Sequence, residues 1–190
     1  MRLMREQSLL LIVDMQTGLM RVIEHGEQAA AEAAWLGGMA GELEVPVWVT
    51  EQYPEGLGGC EPHLLEALPG CRLWQKVHFD AHAEPAFARA LAESGRRQIV
   101  LCGAEAHICV MQTGLGLLEA GYEVFWLVEA TASRRTAEAV LARERMVQAG
   151  AVPVSADMVA YEWLHRCDNV CFKQAHRRFL RPRAGRTLIF

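Results

Sequence analysis

Residues 99–121 read IVLCGAEAHICVMQTGLGLLEAG, and the change of rhythm inside them decides the fold. Ile99, Val100, Leu101 and Cys102 form a short continuous apolar run rich in β-branched side chains, the pattern of a strand buried on both faces. Gly103 breaks it. From Ile108 the apolar positions take helical spacing, with Met111, Leu115 and Leu118 on one side and Gly121 as the C-terminal stop.

The same alternation extends in both directions. Strands are expected at 9–13, 45–49, 72–75, 99–102, 124–128 and 151–154, with helices at 27–43, 84–94, 108–120, 135–149 and 157–165. Ser155 suits the cap of the last helix and Asp157 its first turn. Such alternation implies a mostly parallel sheet with helices on both faces. Pro153 lacks an N–H and places the last strand at an edge. Residues 50–72, rich in Pro and Gly, read as a long loop with one short helix, and long ordered loops are often functional.

Composition sets outer bounds. The 190 residues are 52% hydrophobic, enough for one α/β domain, 1–190, with a sizeable core. Six cysteines at 60, 71, 102, 109, 167 and 171 form no C-x-x-C pair and follow no secretory signal, so they read as reduced thiols of a cytoplasmic protein. The apolar run 9–13 stops at Asp14, far short of the ~18 residues of a membrane span. Net charge is −4, unevenly spread. The tail 168–190 holds six Lys or Arg against one acid, while residues 1–167 hold 13 basic and 22 acidic groups. A basic tail can bind nucleic acid. Its apolar residues Phe172, Phe179, Leu180, Leu188, Ile189 and Phe190 point instead to docking on the acidic body or on a neighbouring subunit.

In parallel sheets of this kind, ligands bind beyond the carboxyl ends of the strands where the strand order reverses, commonly between strands one and four. Strand one ends at Asp14 and strand four feeds Cys109. Cys109 falls in the first turn of a helix, where free N–H groups and the helix dipole favour a thiolate and can hold an oxyanion. It is either a nucleophile or one more small buried hydrophobe. Asp14 is either a turn cap or an active-site carboxylate, since a carboxylate closing a buried strand is costly without a partner.

The segments LLIVDMQTGL (10–19), VTEQYPEGLG, WQKVHFDAH and GAEAHICVMQTGLGLLEAGYEVFWLVEATASR, in register from about 8 to 165, resemble the isochorismatase-like cysteine hydrolases. The resemblance is to the metal-free branch around the isochorismatase domain-containing proteins and YcaC-type hydrolases. It implies a three-layer Rossmann-like α/β sandwich on a six-stranded parallel sheet, a catalytic triad of Asp14, Lys76 and Cys109, and a cis peptide at Ala104-Glu105. Lys76 taken alone reads as a surface lysine. By the same resemblance the N–H groups of Glu105 and Cys109 form the oxyanion hole. Gln16, Tyr53, Trp74 and Phe79 are candidate pocket walls, each also readable as a packing residue.

Residue chemistry fits a small-amide hydrolase. Asp14 accepts the thiol proton, Lys76 stabilises the anions, and Cys109 attacks a carbonyl to give a thioester that water cleaves. Nicotinamidases of this superfamily carry an Asp-x-His metal pair after the second strand, where this chain has Glu51-Gln52-Tyr53, so no metal and no other cofactor is expected. His63, His78 and His82 are irregularly spaced, and His107 suits a pocket wall or a helix-start role. Genuine isochorismatases cleave a vinyl ether without a covalent cysteine, which argues against that activity. Two other readings stay open: a redox-reactive thiol, and a non-catalytic binding member of the fold. The expected partner is a small-molecule substrate, not nucleic acid or membrane. A homo-oligomer assembled through the tail is expected, with Cys109 the most alkylation-sensitive of the six thiols.

Overall fold

The structure, a computed structural model, describes residues 2–190. Along the chain run β1 (Ser8–Val13), α1 (Thr17–Met20), α2 (Gly26–Glu42), β2 (Val47–Gln52), α3 (Pro54–Leu57), α4 (Pro62–Glu66), β3 (Arg72–Lys76), α5 (Pro85–Glu93) and β4 (Gln98–Gly103). There follow α6 (Met111–Glu119), β5 (Glu123–Thr131), α7 (Thr136–Ala149), β6 (Val152–Val154), α8 (Ala156–Leu164), α9 (Val170–Ala175) and α10 (Arg181–Arg183). All six strands are parallel in the order β3-β2-β1-β4-β5-β6. The order reverses between β1 and β4, which is where the sequence places the crevice. Pro153 does lie in an edge strand, and Ser155 Oγ does cap α8, accepting from the Met158 N–H at 3.2 Å.

Strand alternation builds a core on each face. Leu10, Ile12 and Val100 pack with Leu36 and Met39 of α2 and Val159 and Trp163 of α8, while Leu9, Leu11 and Leu101 pack with Phe87 and Leu91 of α5, Leu117 of α6 and Met146 of α7. Complete burial of such side chains stabilises by roughly 1.5 to 3 kcal/mol each, so these contacts hold both helical layers on the sheet. No helix among the described residues is long and apolar enough to cross a membrane.

Two strands run further than their apolar letters suggest. β2 starts at Val47 and continues through Thr50, Glu51 and Gln52, and β5 continues through Glu129 to Thr131. Polar residues end the hydrophobic run, but ladder bonding depends on the backbone, and neighbouring strands carry it on. The remainder of the expected 50–72 loop holds two short helices, each with a proline in its first turn, where a missing N–H costs nothing.

The tail folds back on its own chain, the first of the two docking modes expected for it. Ala175 and Leu180 are buried in the α2-side core, with Phe172 and Phe179 packed against it. Trp35 of α2 meets Phe179 edge-on, centroids 6.4 Å apart, and its indole N–H donates to the Phe179 carbonyl at 3.2 Å. Arg183 is buried. Its guanidinium reaches Glu32 at 2.6 Å, Glu129 at 3.0 Å and Asp157 at 2.7 Å. Arg178 and Arg186 also pair with acids of the body, Glu42 and Glu32, while Ile189 and Phe190 at the chain's end stay exposed.

Candidate active site

Gly103 sets the site's geometry. Its φ is +136°, and a Cβ there would lie 2.1 Å from the Val13 carbonyl oxygen. Only glycine lets the ends of β1 and β4 come this close, and the next residues on each strand carry Asp14 and the turn that holds Cys109. Asp14 itself has a positive φ of 51°, a conformation that Asp tolerates better than most side chains.

Asp14 and Lys76 form a buried ion pair. The Asp14 Oδ2 accepts from Lys76 Nζ at 2.7 Å and Oδ1 accepts from Thr50 Oγ at 2.6 Å. Lys76 Nζ also donates to Gln52 Oε1 at 2.6 Å and lies 3.3 Å from the carbonyls of His78 and Phe79. Burying two ions costs several kcal/mol each unless their hydrogen-bonding capacity is met, and here the surrounding groups meet it. Thr50 and Gln52 were not singled out from the sequence. The signal for them is the period-two alternation of β2 once it is extended to Gln52: Thr50 pairs with Trp74 and Gln52 with Lys76 in the ladder.

Cys109 sits on a π-helical turn, Ala106–Val110, that runs straight into α6. The residue is 5% exposed, and its thiol lies within electrostatic reach of both Asp14 and Lys76. Burial, followed by the Asp14 charge, pushes the thiol up to about 12, against a smaller downward pull from Lys76. This runs against the expected stabilised thiolate, because burial favours the neutral thiol. Of the six thiols, Cys167 is the exposed one.

The Ala104–Glu105 peptide is cis. The Glu105 carbonyl accepts from the N–H groups of Ile108 at 3.1 Å and Val110 at 3.3 Å, and its buried carboxylate is paired with Arg134. His107 has a structural role, with Nδ1 2.9 Å from Ser133 Oγ and Nε2 3.4 Å from Glu138.

Two expected pocket walls do other work. Gln16 is fully buried, and its side-chain amide holds backbone: Nε2 donates to the carbonyls of Gln52 and Gly58, and Oε1 accepts from the Gln52 N–H. Trp74 belongs to the core with Trp48 and Phe87, at centroid distances of 5.2 and 5.4 Å, because it lies one pleat below Lys76 on the same face of β3. Tyr53 and Phe79 are 56% and 52% exposed, and both touch Lys76 through their backbones: the Tyr53 N–H donates to the Lys76 carbonyl at 2.9 Å, and the Phe79 carbonyl faces Nζ. Glu51 is occupied by the Cys60 N–H at 2.8 Å.

The isochorismatase domain model matches residues 8–158. Isochorismatase domain-containing protein 2A of Mus musculus is 31% identical over 182 residues, covering 95% of this chain and 86% of the relative. Among solved structures, the MAR1 ribonuclease of Caenorhabditis elegans matches with a TM-score of 0.88 at 30% identity, over 95% of this chain and 93% of that one. The YcaC gene product of Escherichia coli, described as an octameric hydrolase of unknown specificity, shares the fold with a TM-score of 0.85 at 23% identity, over 95% of this chain and 92% of that one.

Proposed function

Because the chain belongs to the isochorismatase-like superfamily, we propose that it is a cysteine hydrolase of small amides or related acyl C–N substrates, acting through a thioester on Cys109. The observation that carries this reading is the buried Cys109 thiol beside a buried Asp14–Lys76 ion pair at the strand-order reversal.

The chemistry follows from the resting protonation states. As the Cys109 sulfur bonds to the substrate carbonyl carbon, its proton passes to Asp14, so a thiol with a pKa near 12 attacks without first ionising in the free protein. The carbonyl oxygen becomes an oxyanion held by the N–H groups of Glu105 and Cys109. Asp14 then gives its proton to the leaving nitrogen as the C–N bond breaks. In the second half Asp14 takes a proton from water, whose oxygen attacks the thioester, and the acid product leaves as the thiol is restored. Lys76 stays charged throughout and offsets the anion at each stage. Tyr53 and Phe79, exposed beside Lys76, are the proposed pocket walls.

The ribonuclease named for the C. elegans neighbour is the second reading, on the strength of that 30% likeness. Against it, three of the tail arginines are engaged with acids: Arg178 with Glu42, Arg183 with Glu32, Glu129 and Asp157, and Arg186 with Glu32. A homo-oligomer is also proposed, supported by Leu73 and Val77, which stand exposed on or beside the free edge of β3.

A library of small amides and esters, with an RNA oligonucleotide as a further arm, tests the proposal with Cys109→Ala as the blank. Cys109-dependent turnover of an amide or ester that survives EDTA is expected. Cleavage of RNA alone, or turnover undiminished in Cys109→Ala, would overturn it.

A further inference from the structure

We propose that Arg134 is a positioning residue for the oxyanion hole, holding the Glu105 N–H where the acyl oxygen becomes charged; this rests on the reading of Cys109 as the acyl nucleophile. Three consecutive residues after β5 grip three consecutive residues of the cysteine turn. The Ala132 carbonyl accepts from the Ala106 N–H at 2.9 Å, Ser133 Oγ meets His107 Nδ1 at 2.9 Å, and Arg134 holds Glu105. The last grip is the strongest in form. Arg134 Nε lies 3.0 and 2.9 Å from the two Glu105 carboxylate oxygens, its Nη2 donates to Oε1, and its backbone N–H donates to Oε2 at 3.1 Å.

Such a fork fixes direction as well as distance. The Glu105 carboxylate is 3% exposed, so Arg134 is the counter-charge that keeps it ionised in place. Burial pushes the Glu105 carboxyl up, and the Arg134 bonds outweigh that and hold it below the usual range. On the backbone side, the Glu105 carbonyl is tied to Ile108 and Val110, and the Ala104 N–H to the Val13 carbonyl at 2.9 Å. Among the described residues the Glu105 N–H itself has no acceptor. A donor held on every side but its own is preorganised, and loss of one oxyanion-hole donor typically costs about 10²- to 10³-fold in kcat. Arg134 never touches the reacting atoms in this scheme; it acts through Glu105.

The test uses the full-length protein and p-nitrophenyl acetate as acyl probe, with wild type, Cys109→Ala, Arg134→Ala and Arg134→Lys compared. Arg134→Ala is expected to lower kcat on the order of 10²-fold with KM changed less than about threefold. Millimolar guanidinium should restore part of the loss. Arg134→Lys should recover less than the free guanidinium does, because an ammonium cannot reproduce the planar fork. Arg134→Ala strands a buried carboxylate, so the double variant Glu105→Gln/Arg134→Gln, an uncharged pair, is measured beside it and should also lose kcat. Wild-type kcat in either variant, or a loss confined to KM, overturns the role of Arg134. If Cys109→Ala hydrolyses the probe as fast as wild type, the nucleophile reading fails instead, and that result is separate from the behaviour of Arg134.

Discussion

Two buried ion clusters, one beside Cys109 and one under the tail, use similar charges to different ends. In the first, Lys76 faces Asp14 with a thiol within electrostatic reach of both. In the second, Arg183 spans Glu32, Glu129 and Asp157 and stacks over Trp35, its guanidinium carbon 4.5 Å from the ring centroid. Arg183 carries a planar fork suited to joining several carboxylates, and it fastens the tail to α2, β5 and α8. Lys76 is a compact point charge, and in the proposed mechanism its partner Asp14 gives and takes a proton. The difference teaches that burial of charge alone does not mark an active site. What separates the two clusters is the Cys109 thiol beside the first.

The sharpest way to break the comparison is to remove each cluster's central group and ask which property falls. Cys109→Ala should lower turnover on the order of 10³-fold or more, and Asp14→Asn nearly as much, because nucleophile and base fail as a unit. Steady-state kinetics on any substrate found in the library checks both. Arg183→Met should behave in the opposite sense. It leaves Glu32 and Glu129 without their shared counter-charge and should cost about 3 to 5 kcal/mol of stability, read by urea unfolding. The fraction still folded should keep its kcat; a kcat loss as deep as that of Asp14→Asn would erase the distinction between the clusters.

Titration sharpens the contrast further. The buried thiols of Cys60, Cys102 and Cys109 all have their pKa raised by burial. A thiol raised in the folded state contributes its stability fully below its unfolded pKa of about 8.5, and loses it as pH climbs toward the folded value. Urea midpoints should therefore fall from about pH 8.5 upward, less so in Cys102→Ala relative to its own neutral-pH value. With limiting iodoacetamide at neutral pH, peptide mapping should find Cys167 labelled ahead of Cys109. Labelling of Cys109 first would restore the stabilised thiolate that the sequence alone suggests. The smallest effect belongs to neither cluster. Ser155→Ala removes the α8 cap and should cost about 1 kcal/mol with kcat unchanged, a baseline against which the Arg183 variant is judged.

Much of the fold was legible because its strands are buried on both faces and its helices on one, so period and composition carry the message. The switch between β1 and β4, the edge position of β6 and the cap at Ser155 were all readable in this way. Strand ends were not. Thr50 and Gln52 are polar residues in regular ladder positions and Glu129 lies in a bulge of β5, and a hydrophobic pattern stops where they begin. The site was legible to the same depth: Asp14 and Cys109 follow from strand order, and Lys76 was reached through the family resemblance. Gln16 and Trp74 were readable both as pocket walls and as packing residues, because a polar or aromatic letter near a site does not say which neighbour satisfies it.

By itself, then, the sequence determined the layer architecture, the order in which the chain visits the sheet, and the meeting of strand one with strand four, since these depend on local period, glycine placement and the handedness of parallel crossovers. Only the tertiary structure decided three other things. It set the protonation of Cys109, because desolvation depends on every atom packed around the sulfur. It chose the partners of Arg134 and Arg183, which lie 29 residues from Glu105 and 151 from Glu32 along the chain. It also turned the tail inward, because the acids that receive its arginines are brought together by the fold and lie far apart in the sequence.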